Sequence, residues 1–171
     1  MGNAHRGRRS HLLVAMASAP IIGLRWWGIR GDGAWVVQTK SERASARPLQ
    51  VSHTSDLARA RIGYWVGHSV SDEIRSRLDA FMQMYPGVSV KGDRPSWGSS
   101  HPNGALMVAS GVLDLFVLIG GGQWDNAAPA VIVEEAGSRF TDMTGEPRIA
   151  NDVGIFSNGV LHEAALQMIG E

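Results

Sequence analysis

The residues with the clearest chemical potential lie in a glycine turn and at the start of the segment that follows it. Gly120, Gly121 and Gly122 come directly after the apolar run 115–119, and Asp125 stands three residues further on. The apolar run predicts a buried strand, and Asp125 lies where a helix would begin. An aspartate there is either an N-cap or a charged ligand at the carboxyl edge of a sheet, where α/β proteins bind small molecules. The residues alone leave both interpretations open.

The segment from 125 to 137 predicts the helix that carries this carboxylate. Aspartate at a helix start suits the positive end of the helix dipole. Pro129 is expected in the first turn, because proline has no N–H to donate further along a helix. Glu134 and Glu135, near the end of the helix, are expected to face solvent. An apolar stripe at i, i+4 and i+8 spacing should pack on the core, formed by Ala128, Ile132 and Ala136.

The stretch from Trp124 to Ser138 resembles the C-terminal signature of the inositol monophosphatase family. That signature begins with Trp-Asp, continues through small residues into an apolar helix and ends in Ala-Gly-Gly, whose second glycine is Ser138 here. Members of the family are Mg²⁺-dependent phosphomonoesterases. The resemblance therefore implies that Asp125 is a ligand of Mg²⁺ and that the substrate is a small phosphate ester.

An aromatic hairpin earlier in the chain resembles the same family. A proline-containing segment at 17–20 is followed by Trp26 and Trp27, and then by a Gly-Asp-Gly turn at 31–33. Glycines in this spacing predict a tight hairpin. The paired tryptophans are similar to those of the bacterial histidinol-phosphate phosphatases. Packing in the sheet and stacking on a substrate remain alternative roles for the two rings.

A serine-rich segment before a second predicted helix also matches the family. The resemblance implies that Ser99, Ser100 and His101 line the substrate pocket. Hydroxyl and amide groups at a helix N-terminus suit a phosphate ester, although an ordinary serine N-cap would give the same pattern. Asp114, which ends the similar Val-Ala-Ser-Gly-Val-Leu-Asp segment, is predicted to start a strand or turn and not to bind a ligand.

Other features of the family are missing from this sequence. Relatives take most of their Mg²⁺ ligands from a glutamate and from an Asp-Pro-Ile/Leu-Asp-Gly-Thr motif, and no Asp-x-x-Asp-Gly-Thr occurs here. The chain therefore resembles the C-terminal part of the family, and we expect its metal site to be incomplete. Relatives also often carry a substrate-binding carboxylate near Leu118, which is apolar here. No catalytic residue is assigned.

The remaining patterns predict an α/β fold. It is a mixed sheet with flanking helices, resembling the C-terminal part of the layered αβαβα sugar-phosphatase fold. The strand–helix–strand succession at 61–91 implies a parallel pairing. His162 and Glu163 are expected on the outer face of a C-terminal helix. Strands are predicted over 12–19, 24–29, 34–38, 61–66, 88–91, 115–119, 138–143 and 155–159, with a short edge strand at 49–51, and helices over 72–85, 103–111 and 160–169.

Length and composition set the wider limits. The 171 residues suffice for one domain with a real core. Residues 1–10 are expected to be flexible, and 11–171 to form that domain. The formal net charge of zero argues against a nucleic-acid partner, and no apolar stretch is long enough to cross a membrane. The lack of cysteine fits a cytoplasmic location. An alternative is export, because 6–19 has the outline of a signal peptide ending at Ala19.

Two functional hypotheses follow from these features. The first is Mg²⁺-dependent hydrolysis of a phosphate monoester of the histidinol phosphate or inositol monophosphate type. The second is a non-catalytic remnant or interaction subunit that needs a separate N-terminal half. Because apolar surface that normally meets such a half would be exposed, we expect either a homodimer or a complementing N-terminal chain as partner.

Overall fold

The computed structural model describes residues 12–40, 45–67, 71–84, 90–91 and 102–170. The strands in these ranges are Val14–Ala19 (β1), Leu24–Ile29 (β2), Gly33–Gln38 (β3), Arg47–Pro48 (β4), Ile62–Val66 (β5), Val90–Lys91 (β6), Leu115–Ile119 (β7), Arg139–Thr141 (β8) and Val153–Ser157 (β9). The helices are Asp72–Met84 (α1), Pro102–Ala109 (α2), Gln123–Glu135 (α3) and His162–Gly170 (α4), with 3-10 turns at Pro20–Ile22 and Leu57–Arg59.

The described strands form two sheets. The antiparallel sheet has the order β1-β2-β3-β4, and the mixed sheet has the order β6-β5-β7-β9-β8. In the mixed sheet β5 pairs in parallel with both β6 and β7, while β9 runs antiparallel to β7. The parallel pairing predicted for the strand–helix–strand unit is therefore confirmed.

The sheets and helices are stacked in layers. One apolar cluster joins the inner face of the antiparallel sheet to α2, α3 and one face of the mixed sheet. A second cluster joins the other face of the mixed sheet to α1 and α4. The layers thus run antiparallel sheet, α2 with α3, mixed sheet, α1 with α4. All five residues of β7 are buried, as expected for a central strand covered on both faces.

A close approach of α3 to the antiparallel sheet depends on Gly28 in β2. A Cβ at Gly28 would lie 3.0 Å from the Cα of Ile132 in α3. Since β-carbons rarely approach a backbone atom so closely, only glycine lets helix and strand meet at this distance. Ile132 is fully buried there, on the apolar stripe that its spacing predicted.

The predicted edge strand at 49–51 is wrong in position. The edge strand is β4 at Arg47–Pro48, and the three predicted residues lie outside any strand. Leu49 donates its N–H to the carbonyl of Ala34 at 2.8 Å, and Val51 donates to the carbonyl of Ala136 at 3.2 Å. The two amides therefore bond to different elements, β3 and the end of α3, and do not form one ladder.

The hairpin between β2 and β3 is fastened to the end of α3. Glu135 Oε2 accepts hydrogen bonds from the N–H groups of Gly31 at 3.1 Å and Gly33 at 3.2 Å. Arg30 forms ion pairs with both Glu134 and Glu135. The expectation that both glutamates face solvent is therefore wrong, because the glycine turn leaves amides that need an acceptor.

His162 is not on the outer face of α4, contrary to the sequence prediction. Its side chain is 0% exposed and lies between two hydroxyls, 2.8 Å from Thr141 Oγ1 and 2.8 Å from Ser157 Oγ. Both ring nitrogens are therefore satisfied, which makes the burial of this polar ring tolerable. Glu163, the next residue, is exposed as predicted.

The sequence predicts a flexible segment at residues 1–10 and, as an alternative, a signal peptide ending at Ala19. Residues 1–10 lie outside the described residues, so their flexibility stays a prediction. Val14–Ala19 forms β1, which pairs with β2 along its whole length. Cleavage of a signal peptide after Ala19, the export alternative, would therefore delete a strand of this sheet. No helix among the described residues is long and apolar enough to cross a membrane.

Candidate functional site

The candidate site that the sequence indicates lies at the glycine turn and the start of α3. Helix α3 has Gly122 as its N-cap, in an extended conformation, so Asp125 is the third residue of the helix. The prediction of Asp125 as the N-cap is therefore wrong by three residues. Asp125 Oδ2 accepts a hydrogen bond from the Gly122 N–H at 2.9 Å, the acidic half of a capping box. The carboxylate still lies at the positive end of the helix dipole.

Pro129 lies in the interior of α3 and not in its first turn. It is the seventh residue of the helix, one turn after Asp125. Because proline has no N–H, the helix ladder cannot bond the carbonyl of Asp125 through residue 129. The expectation of a first-turn proline is therefore wrong, since α3 starts two residues before the predicted position.

Asp125 lines a cavity of about 290 Å³. The cavity lies between the end of β1, helix α2 and the start of α3. Trp124 stands at its rim with 76% of the residue exposed. The other contributions come from backbone and side chains of small or apolar residues: Met16, Ala17, Ser18, Ala19, Trp26, Leu106, Ala128 and Pro129.

The two tryptophans of the hairpin have different positions. Trp26 is buried and forms part of the cavity wall. Trp27 points to the opposite face of the sheet and stacks on Trp35, with ring centroids 6.1 Å apart and planes at 20°. Both Trp26 and Trp27 therefore pack against other residues of the chain. Of these two rings, only Trp26 also lines the Asp125 cavity.

The predicted substrate residues Ser99, Ser100 and His101 lie outside the described residues. Helix α2 begins directly after them at Pro102, and its Leu106 lines the Asp125 cavity. Their assignment to the substrate pocket therefore stays a prediction.

The described residues do not by themselves fit a Mg²⁺ ion. Asp125 is the one carboxylate in the cavity lining, and no group of three or more His, Cys, Asp or Glu side chains that could hold a metal occurs in the described part of the chain. Mg²⁺ requires near-octahedral coordination by oxygen atoms and keeps some waters, but it is normally fixed by more than one protein or substrate group. Whether the metal site of this chain is incomplete stays a prediction.

Asp114 lies at the opposite end of β7 from the glycine turn. It is fully buried and pairs with Arg61, whose Nη2 is 3.0 Å from Asp114 Oδ1. The Arg61 N–H donates to Asp114 Oδ2 at 2.6 Å, and Ser52 donates from its hydroxyl. Burial alone would raise the pKa of Asp114, but the hydrogen bonds from Arg61 and Ser52 lower it to about 2. These partners hold Asp114 as a buried anion directly before β7, the strand-start position that the sequence predicted.

The sequence predicts a turn at 144–147, but not the hydrogen bonds that Asp142 accepts in this polar loop next to α3. Asp142 accepts hydrogen bonds from the N–H groups of Thr144 at 2.8 Å and Glu146 at 3.1 Å, and from Asn151. Burial raises the pKa of Asp142. Hydrogen bonds from the Thr144 hydroxyl and from the N–H groups of Glu146 and Thr144, together with the charge of Arg148, outweigh burial and leave the pKa below its usual value. The Asp-x-Thr-Gly pattern is typical of such a turn and was the available signal.

The same loop is bonded to the residue after Asp125. Asn126 is fully buried, and its Nδ2 donates to the carbonyl of Asn151 at 3.2 Å. Its Oδ1 has no hydrogen-bond partner among the described residues. An asparagine on the inner face of an apolar helix was the signal that could have been noticed.

The layered sheets and helices, with a carboxylate at a helix start beside a glycine turn, define an α/β fold of the sugar-phosphatase class. Comparison with known proteins agrees. The model of the inositol monophosphatase family matches residues 8–171. The chain belongs to the inositol monophosphatase family.

Individual members of the family are also similar to this chain in sequence or in structure. The chain is 35% identical to a histidinol-phosphatase of Streptomyces coelicolor, over 93% of this chain and 56% of the relative. It is 32% identical to inositol monophosphatase 1 of Solanum lycopersicum, over 77% of this chain and 45% of the relative. The solved structure of an inositol monophosphatase from Anabaena superposes with a TM-score of 0.75 at 22% identity, over 92% of this chain and 58% of that one. The chain thus spans about half the length of these relatives.

Proposed function

We propose that this chain forms the Asp125-containing part of a Mg²⁺-dependent phosphate monoester hydrolase, acting on histidinol phosphate or an inositol monophosphate. The observation that carries the proposal is the position of Asp125, which lines a cavity at the positive end of α3. The chain that carries it belongs to this family. Histidinol phosphate is the first candidate, since a histidinol-phosphatase is 35% identical.

The chain's own contribution would be to bind the phosphate ester and to orient it in the cavity. The dipole of α3 favours a negatively charged phosphate at the mouth of the cavity. Trp124, exposed at the rim, offers a flat apolar surface to the organic part of the ester. The cavity of about 290 Å³ is at the small end of ligand sites. It would therefore enclose only part of such a substrate.

Mg²⁺, when bound, would supply charge stabilisation at the phosphate and an acidified water molecule. One carboxylate is too few to hold it, so further oxygen ligands must come from polypeptide other than the described residues. We expect the reaction to take place in the cytoplasm, because the chain has no cysteine and therefore no disulfide framework.

The test is phosphate release from histidinol phosphate and inositol 1-phosphate, with and without Mg²⁺. The 171-residue chain would be assayed alone and co-expressed with the segment of the Streptomyces coelicolor enzyme that lies outside the match. We expect Mg²⁺-dependent release from the co-expressed pair. Asp125→Asn should reduce it at least about 100-fold, the scale of lost electrostatic stabilisation at a reacting group. Asp32→Asn, at the exposed hairpin tip, should leave it unchanged.

The alternative function is a non-catalytic remnant or interaction subunit. The observation that favours it is the lone carboxylate in the cavity. Circular dichroism that shows a folded chain, together with no release under any of these conditions, would exclude the hydrolase and support this alternative.

A further inference from the structure

The first turn of α3 is only loosely joined to the rest of its own helix. Pro129 has no N–H, so the ladder bond that the carbonyl of Asp125 would normally accept is missing. The hydrogen bonds that Asp125 makes with Gly122, at 2.9 Å in both directions, join it to a turn of three glycines. Glycine has the greatest backbone freedom of all residues. The direction of the Asp125 carboxylate therefore depends on contacts from outside the helix.

Asn126, the residue after Asp125, makes such a contact. It is 0% exposed, and its Nδ2 lies 3.2 Å from the carbonyl oxygen of Asn151 and 3.5 Å from that of Ile149. The opposite orientation of the amide would turn Oδ1 against these two oxygens, so the orientation is fixed. Oδ1 faces Gly154 in β9, where a Cβ would collide with it. The Asn126 carboxamide thus fits the 149–154 segment in one way.

The loop that receives Asn126 is held by the buried carboxylate of Asp142. Asp142 is 1% exposed and accepts hydrogen bonds from the Asn151 side chain and from the N–H of Thr144. The same loop bonds the glycine turn, because the N–H of Gly120 donates to the carbonyl of Asp152 at 2.6 Å. Two consecutive loop residues therefore hold the segment 120–126 at both of its ends.

We infer that Asn126 is a positioning residue for Asp125: its buried carboxamide ties the first turn of α3 to the Asp142 loop and so fixes the direction of the Asp125 carboxylate. Asn126 is not among the residues that line the cavity, and it acts through its neighbour. Its effect on Mg²⁺ binding rests on the proposed function. Groups that hold a metal ligand in place typically change metal affinity or activity by about 10–100-fold.

The test is amide hydrogen exchange, followed by NMR, in the 171-residue chain. The N–H of Gly122 is bonded to the Asp125 carboxylate and therefore reports its direction. Asn126→Leu keeps a branched side chain of similar size but removes the amide donor. We expect exchange at Gly122 to become at least about 10-fold faster, the factor that corresponds to one lost hydrogen bond to a charged group. Gly120, bonded to Asp152, should keep its protection.

Asn158→Leu is the matched control. Asn158 is also buried, at 3% exposure, and its Nδ2 donates to the carbonyl of Thr54 at 2.8 Å. It lies beside Asp114, at the other end of β7 from the glycine turn. The same substitution there removes a buried amide without touching the Asp142 loop. It should therefore leave exchange at Gly122 unchanged.

A second variant acts one step further from Asp125. Asn151→Ala removes the side chain that joins the loop to Asp142 but keeps the carbonyl that Asn126 bonds. Exchange should become faster at both Gly120 and Gly122, because both ends of the segment lose their support. Asn151 is only partly buried, so this variant decides if Asn126→Leu fails to fold.

The functional part is measured in the co-expressed pair of the phosphate-release assay. Asn126→Leu should raise the Mg²⁺ concentration for half-maximal release about 10–100-fold. Asn158→Leu should leave that concentration unchanged. A merely destabilised protein would lose active molecules and hence kcat, but the remaining molecules would keep the same Mg²⁺ dependence. The Mg²⁺ dependence therefore separates positioning from stability.

Exchange and activity give separate outcomes. Faster exchange at Gly122 in Asn126→Leu, with no phosphate release from any pair, would keep the positioning role and refute the hydrolase. Unchanged exchange at Gly122, equal loss of protection at Gly120, or the same acceleration in Asn158→Leu would overturn the inference. Phosphate release with unchanged Mg²⁺ dependence in Asn126→Leu would overturn its functional part.

Discussion

At the scale of single residues, the two aspartates that flank β7 have different surroundings. Asp114, before the strand, is fully buried and paired with Arg61. Asp125, after the strand, is partly exposed and caps the first turn of α3. A buried anion needs a fixed partner to offset its desolvation, whereas a partly exposed carboxylate keeps part of its hydration. Residue type alone does not distinguish the two.

His162 makes a prediction about pH. Burial, with a smaller contribution from the charge of Arg139, lowers the pKa of His162 to about 4, whereas a histidine in the unfolded chain titrates near 6.5. The unfolded state therefore binds more protons between these values. The stabilisation from neutral His162 is complete above about pH 6.5 and is lost as the pH falls to about 4, a change on the order of 3 kcal/mol.

The measurement is urea unfolding from pH 7.5 to 4 in three proteins. His162→Gln, neutral at every pH, should flatten the dependence of the unfolding free energy on pH in that window. His53→Gln, at an exposed histidine, should leave it as in the unmodified chain. Parallel curves for the unmodified chain and His162→Gln would show that the buried ring does not titrate as expected. Asp114 and Asp142 contribute at lower pH, because their pKa values are lowered.

At the scale of elements, the position of α3 is set by contacts at both of its ends and along its middle. Gly28 allows the helix to approach β2. Glu135 fastens the far end to the glycine amides of the β2–β3 hairpin. The start of α3 carries Asp125, so the antiparallel sheet holds the candidate ligand in place through this helix.

Gly28→Val should separate the helix from the sheet. A side chain there meets the backbone of Ile132, and overpacking of this kind costs about 1–3 kcal/mol. Valine otherwise favours strands over glycine, so any loss of stability must come from the contact. Ile29→Val, on the outer face of the same strand, is the control and should cost less than about 1 kcal/mol. Urea midpoints of the two variants would contradict this account if Gly28→Val were the more stable.

At the scale of the whole molecule, the described layers begin with a sheet whose outer face is open. The inner face lies on α2 and α3, and the mixed sheet is covered on both sides. Val14 and Met16 of β1 lie on this outer face and are 62% and 61% exposed. A net charge of zero gives little repulsion between molecules to oppose association through that face.

Met16→Lys should reduce self-association of the isolated chain. The substitution places a charge in the centre of the exposed apolar face and next to the open edge of β1, a known means of blocking edge pairing. Gln167→Lys adds the same charge at an exposed site on α4 and should have little effect. Sedimentation velocity over a tenfold range of concentration measures both. Equal association of the two variants would mean that the chain associates through another surface.

The sequence by itself determined the elements whose signals are local. The apolar run of β7 gave a strand buried on both faces, the stripe from Ala128 to Ala136 gave the inner face of α3, and the Trp-Asp segment gave the family. The same segment singled out Asp125 as a candidate ligand, and that role stays a prediction. Periodicity reports burial over a few residues, and a short motif keeps its meaning wherever the chain places it.

Only the tertiary structure decided which distant residues become neighbours. Helix α3 starts at Gln123 and not at 125, because Gly122 adopts the extended cap conformation. Glu135 bonds a hairpin more than a hundred residues away, and His162 is buried because Thr141 and Ser157 satisfy its ring. These outcomes depend on how separate layers pack and on where each polar group finds a partner. No local pattern contains that information, because the partners come from other parts of the chain.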